Sequence, residues 1–249
     1  MSYAKRTRSQ AFPSYQAMQS NKRRPQRRMY PQYPQKVPKP EKKGIDTFMQ
    51  IENVLDTTGT NVDIQPVNLI NQGTGFYNRI GRKIHCKSLR ITGEVTYLFA
   101  PNVTTGTMEG NCLRMVVVWD KQPSGVTPVF SDIFGTVDYE GGTDSVYTDS
   151  LNFVNMDRYR VLMDKSYEFN PQAGAPSAGS TKTQNYVKHI DEYCKLRVGE
   201  TVYSSTNDDE PTIAEISSGA LYIIYRSFKN ATENSLTVDC NARLRYTDV

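Results

Sequence analysis

The chain has 249 residues, 30 Lys plus Arg against 26 Asp plus Glu, a formal charge of +4 and 37% apolar residues. Such a length allows one large or two small domains. No run of about 18 apolar residues exists, which excludes a membrane-spanning helix. The opening MSYAKRTRSQ is charged but leads into no apolar stretch, so no secretory signal is expected. Cys86, Cys112, Cys194 and Cys240 lack any CxxC spacing and read as reduced thiols.

The modest net charge conceals a split. Residues 1–43 hold 12 Lys or Arg and one acid, a net of +11, whereas residues 44–249 carry a net of −7. The first segment also holds six of the 13 prolines and almost no aliphatic side chains. It cannot bury enough apolar surface to offset the entropy of ordering, so disorder is expected there. Basic clusters stand at Lys5, Arg6, Arg8 and at Lys22, Arg23, Arg24, Arg27, Arg28, with Tyr3, Phe12, Tyr15, Tyr30 and Tyr33 between and around them. Guanidinium pairs with phosphate in a planar fork, and tyrosine offers a face on which an unpaired base stacks. The segment therefore reads as a sequence-independent nucleic-acid tether. Its KRRPQRR run also fits a nuclear-import signal. A tail that only aids solubility is the plain alternative; a membrane-surface segment lacks the amphipathic helix or acylation motif it would need.

From about residue 45 short apolar runs alternate with Gly, Pro, Asn, Asp and Ser. Ile45–Val54 has room for a turn or two of helix. GTGFYNR at 73–79 has two glycines at G-x-G spacing but lacks the third and any following helix, so it reads as a loop entering a strand. Leu89–Phe99 alternates with period two, as do Leu113–Trp119 and Leu236–Tyr246, the pattern of half-buried strands. Further strands are expected at Val126–Phe130, Tyr159–Tyr167, Glu192–Val198, Thr201–Ser204 and Ala220–Phe228, with a helical turn over Phe130–Phe134. Long loops are expected over Ala100–Asn111, Thr136–Asn152, Asn170–Lys188 and Asn207–Ile213. About eight strands without intervening helices imply one antiparallel jelly roll over residues 44–249, behind the disordered basic arm of residues 1–43.

Catalytic chemistry finds few residues. The only histidines are His85 and His189, with no HxH or HxxxH pair, and no GxSxG is present. A zinc site from His85, Cys86, His189 and Cys194 is conceivable but matches no recognised spacing. The run Asn207–Glu210 allows a calcium site between subunits, although a solvated loop is the plainer reading. No enzyme, metal or cofactor is expected.

Three segments carry a resemblance. NRIGRKIHCKSLRITGEV (Asn78–Val95) resembles the start of the first jelly-roll strand in coat proteins of circular Rep-encoding single-stranded DNA viruses, where glycine and basic residues precede K-S-L/I-x-I-x-G. MVVVWDKQPSGVTPVFSDIF (Met115–Phe134) resembles the V-Y-D-x-x-P-x-G strand and turn of geminivirus coat proteins, and FVNMDRYRVLMDKSYEF (Phe153–Phe169) resembles their R-x-R/D-R-F/Y-x-V-L strand. The resemblance implies a capsid protein: a jelly roll that associates with itself, in roughly 60 copies, into an icosahedral shell. The arm then lies inside against a single-stranded DNA genome, and the virion and the host nucleus are the expected locations, with nuclear import machinery as a host partner. Arg79, Arg82, Lys83 and Lys87 match the basic stretch of the first motif and are expected to face the genome or lead from the arm. Asp120, Pro123 and Gly125 match the turn of the second. Arg158 and Arg160 match the third and would share one strand face. The alternatives are a nucleic-acid-binding nuclear shuttle protein, or the coat of a small RNA virus.

Overall fold

In the computed structural model the described residues are 41–52, 54, 64–99, 110–137, 143–144, 149–170, 184–204, 211–228 and 234–249. All of them fall in the unit Pro40–Val249. The arm clusters from Lys5 to Arg28, the acidic run Asn207–Glu210 and most of the expected loops lie outside the described residues.

Two antiparallel sheets form the body. The first runs β1 (Lys42–Ile51), β12 (Asn234–Asp248) and β3 (Lys83–Phe99). On the far side of β3 lie β8 (Gln184–Lys195) and, further along the same edge, β9 (Glu200–Tyr203) with β10 (Ile216–Ser218). The second is β2 (Ile64–Pro66), β11 (Ala220–Ser227), β4 (Asn111–Asp120) and β7 (Tyr159–Phe169). A short ribbon, β5 (Thr136–Val137) with β6 (Thr143–Asp144), completes the strands among the described residues. β3 thus pairs with the last strand, β12, and β4 with the strand before the last, β11. That nested pairing is what wraps a hairpin ribbon into a jelly roll.

Period-two patterning explains the first sheet. In β12, Leu236, Val238, Cys240, Ala242, Leu244 and Tyr246 are all buried while the residues between them are more exposed, except Thr247 near the end. β3 buries Leu89, Ile91, Val95 and Tyr97 against the same core, and Gly93 lets β12 approach closely. A Cβ there would stand 2.1 Å from the Asp239 carbonyl oxygen, so any larger residue must push the strands apart. β4 and β11 are buried on both faces. Phe130, Ile133 and Phe134, on and beside helix α1 (Phe130–Ile133), are likewise buried. The Arg114 guanidinium lies 4.6 Å from the Phe134 ring centroid and that of Arg226 4.1 Å from Phe130, and the two rings stack at 5.0 Å. Arg114 also makes paired hydrogen bonds to Asp164, at 3.1 and 2.7 Å.

Three expectations are corrected. Ile45–Val54 is mostly the strand β1 and not a helical turn. Its apolar residues at 45, 48 and 49 mimic helical spacing, but Phe48 is 68% exposed, whereas the alternate positions Ile45, Met49 and Ile51 face the core. Val126–Phe130 is an extended loop leading into α1, because Gly125 and Pro128 interrupt any pairing. The strand expected at Glu192–Val198 begins at Gln184 and ends at Lys195, since an edge strand with one wet face needs only Ile190 and Cys194 as buried apolar residues.

Candidate nucleic-acid interface

The outer face of the first sheet is made of the side chains that alternate with the core. Register sets them in rows across β1, β12, β3 and β8. The first row is Gly44, Arg245, Ser88 and Lys195, and the second is Asp46, Arg243, Arg90 and Tyr193. Next come Phe48, Asn241, Thr92 and Asp191, followed by Gln50, Asp239, Glu94 and His189. A bulge beside Arg245 and Tyr246 leaves Lys87 as an extra residue, exposed at the basic end. The face is therefore polarised, with cations in the first two rows and carboxylates in the fourth.

Two of the arginines are neutralised. Arg243 makes paired hydrogen bonds to Asp46 at 2.7 and 2.6 Å, and Arg90 does the same to Asp191 at 2.9 and 3.0 Å. These bonds hold both carboxyls below the usual carboxylate range. Carboxylates with lowered values lose their contribution only as the pH falls through the folded value, so both pairs are intact at neutral pH. Lys42, Lys87, Lys195 and Arg245 carry no ion pair among the described residues. Between the basic rows and the loop at 71–82 runs a groove of about 920 Å³, lined by Lys42, Gly44, Phe76, Tyr77, Lys87 and Arg245 among others. The rings of Phe76, Tyr77 and, on β8, Tyr193 are exposed.

The strand β1 begins beside this groove. Lys43, buried at the start of β1, pairs with Asp248 at 2.9 Å and donates to the Asn78 carbonyl at 2.9 Å. β1, β12 and the loop carrying Phe76 and Tyr77 are thus tied together at the start of β1. Exposed rings set among unpaired cations suit an unpaired nucleic-acid strand: phosphates meet the cations, and each stacked base contributes about 1–3 kcal/mol. The joint substitution Asp46→Asn plus Asp191→Asn frees Arg243 and Arg90 on this face. It is expected to tighten single-strand binding and to steepen the plot of log K against log salt by about 1.4, measured by fluorescence anisotropy with an oligonucleotide.

Of the four body residues expected to face a polyanion, only Lys87 lies on the groove. Arg79 is corrected outright. It is fully buried, its Nε donates to the Ile70 carbonyl, a terminal nitrogen donates to Gly81, and its guanidinium lies 4.2 Å from the Tyr203 ring centroid. Arg82 is exposed but donates to the carbonyls of Tyr203 and Ser204, and Lys83 pairs with Glu200 at 3.4 Å. The turn of the second motif is formed: Asp120 accepts from the Gln122 amide, and Gly125 adopts φ +83°, a conformation glycine favours. Arg158 and Arg160 part company. The first precedes β7 and grips Asp120; the second donates to the Arg197 carbonyl.

The zinc constellation does not converge. Cys86 is buried beside Thr201, whereas His85 faces out toward Glu200. His189 stands on the outer face near Glu94, and the buried Cys194 points to the Leu162 carbonyl. No metal-holding group of His, Cys, Asp or Glu occurs among the described residues. Burial pushes the Cys86 thiol up to about 12 and that of Cys240 to about 11, so neither forms a thiolate at neutral pH.

A jelly roll with cations and exposed rings at one end of its outer sheet face, in a chain whose first 43 residues are strongly basic, has the make-up of a viral coat protein. The chain belongs to the Geminivirus coat protein/nuclear export factor BR1 family, whose model matches residues 1–249. No curated protein sequence matches it. Solved structures similar to it include T=1 particles derived from infectious bursal virus, at 10% identity and a TM-score of 0.16, covering 85% of this chain and 40% of that one. The unassembled VP1 pentamer of KI polyomavirus is similar at 10% identity, 83% and 93% coverage and a TM-score of 0.19. The 60-mer capsid protein of BFDV is similar at 12% identity, 84% and 94% coverage and a TM-score of 0.19.

Proposed function

We propose that this coat protein assembles into a closed icosahedral shell and packages single-stranded DNA through the basic arm, with the groove beside Lys87 and Arg245 as the first contact on the body. The observation that carries this reading is the groove, where the exposed rings of Phe76 and Tyr77 stand beside Lys42, Lys87 and Arg245. Residues 1–43 bring a net charge of +11 to the same chain. Lys5, Arg6, Arg8, Lys22, Arg23, Arg24, Arg27 and Arg28 act in it as phosphate contacts, and the segment Lys22–Arg28 doubles as the address for nuclear entry. Exposed rings favour an unpaired strand over a duplex, whose bases are already stacked.

A second reading is favoured by the family description itself, which includes a nuclear export factor. On that reading the chain binds nucleic acid as a small shuttle and closes no shell. Sedimentation of the purified chain with a single-stranded oligonucleotide separates the two. Megadalton particles support the coat reading, and a species of one or two chains at every concentration supports the shuttle.

A further inference from the structure

The edges of the two sheets are guarded unequally. β2 has three residues and ends at Pro66, and β10 has three residues and an irregular pairing. The edge of β7 is stapled from β8: Cys194 donates to the Leu162 carbonyl, Lys188 to the Glu168 carbonyl, and the Tyr167 hydroxyl donates to Glu192. β1 lacks any such guard. Among the described residues it pairs with β12 alone, over ten residues without a bulge or a proline, and it carries the exposed ring of Phe48. Such an edge presents a row of N–H and C=O groups to any strand that fits it.

We infer that β1 pairs antiparallel with β1 of a second copy, about a two-fold axis through Phe48. The inference takes from the reading above only that copies associate. The strand is complementary to itself in this register. On the outer face the two Phe48 rings meet, and Asp46 of each copy meets Gln50 of the other. The Gln50 amide there donates to a carboxylate that is 41% exposed beyond its bonds to Arg243. On the core face Ile45 meets Ile51 and Thr47 meets Met49, which carries the apolar interior across the axis. The neighbouring registers fit less well: one sets Asp46 against Glu52, a like charge, and the other sets it against the Phe48 ring. An axis perpendicular to the sheet keeps both outer faces on one side, so the grooves of the two copies open toward the same surface.

Cysteine cross-linking of the full-length chain reads the register. Opposed residues of an antiparallel pair have Cα atoms about 4.5–5.5 Å apart, within reach of a disulfide. Gln50 and its copy stand four positions apart along the strands, at about 13 Å. Phe48→Cys is therefore expected to give a disulfide-linked dimer on a non-reducing gel after mild oxidation. Gln50→Cys, and the wild type with its own four thiols, are expected to remain single chains. Charge substitutions give an independent reading by light scattering. Phe48→Lys loses the ring pair and sets like charges on the axis, so it is expected to need about tenfold more protein to associate. Phe48→Glu does the same, and an equimolar mixture of the two restores association. All these variants are expected to keep the wild-type thermal midpoint, because residue 48 lies on the solvent side of β1. Association without the Phe48→Cys dimer, an equal dimer from Gln50→Cys, or no recovery in the mixture overturns this contact and leaves the shell reading standing. A wild type that never exceeds one chain overturns both.

Discussion

Removing residues 1–39 is expected to leave a chain that folds and closes shells but retains no nucleic acid. That segment holds ten Lys or Arg and no acid, whereas the body it leaves behind is acidic overall. Binding by counterion release scales with the number of phosphates neutralised, and a protein making some 6–10 such contacts loses about 10³–10⁵ in affinity between 50 and 200 mM salt. Loss of the arm removes contacts on that scale, and the unpaired cations of the groove cannot replace them. The cut belongs at residue 39 and not at 43. Lys43 is buried and paired with Asp248, so a truncation through it would strand a carboxylate and untie β1. The ratio of absorbance at 260 and 280 nm, read on purified particles, reports the outcome. Truncated particles with wild-type nucleic-acid content would contradict the role of the arm.

The second large effect is structural. Asp120→Ala is expected to lower the stability of the body by about 3 kcal/mol, the low end of the range for breaking a buried ion pair. Asp120 is fully buried and accepts two hydrogen bonds from Arg158, at 3.0 and 2.8 Å, and one from the Gln122 amide at 2.9 Å. Its removal leaves the Arg158 charge without its partner and opens the turn that Gly125 completes. Arg158 keeps some contact with water, at 27% side-chain exposure, which holds the cost to the lower bound. A domain of ordinary stability, about 5–15 kcal/mol, loses a large share of it this way. Urea denaturation followed by Trp119 fluorescence measures the change. The double substitution Asp120→Leu plus Arg158→Met is expected to recover most of the loss, because apolar residues of similar volume often replace such pairs without penalty. A loss below about 1 kcal/mol for Asp120→Ala would contradict this account of the pair.

The strands that announced themselves were those with one wet face. β3 and β12 alternate cleanly because their outward positions carry Thr, Asp, Glu and Arg. Ala220–Phe228 was legible for the opposite reason: Leu221–Tyr225 is apolar on both faces, and the segment around α1 packs against the side that would otherwise meet water. β1 was misread because a single exposed ring, Phe48, supplied the helical spacing, and its long pairing with β12 overrode the local signal. β8 was partly hidden by polarity. An edge strand whose partner β3 lies about a hundred residues earlier can carry Lys188, His189, Asp191 and Glu192 at little cost.

The candidate site was legible only in part. The charge split and Lys87 could be read from the chain, whereas the groove could not. Arg245 reaches it through strand pairing across the sheet, and Phe76 and Tyr77 sit in a loop whose glycines suggested nothing beyond a turn. Arg79 shows the converse limit. A basic residue in a basic motif looks like a phosphate contact, yet here it fills the interior against Tyr203, with its polar atoms bonded to backbone carbonyls. Sequence cannot tell a guanidinium turned outward from one turned in, because the aromatic partner lies more than a hundred residues away.

The central claim is that this chain forms a closed shell around single-stranded DNA. Electron microscopy of the purified full chain, with its nucleic acid extracted and typed by nucleases, tests it most directly. The account predicts closed isometric particles whose contents, once released, are digested by a single-strand-specific DNase and resist RNase. Unassembled protein under all conditions, or particles filled with RNA, would contradict it.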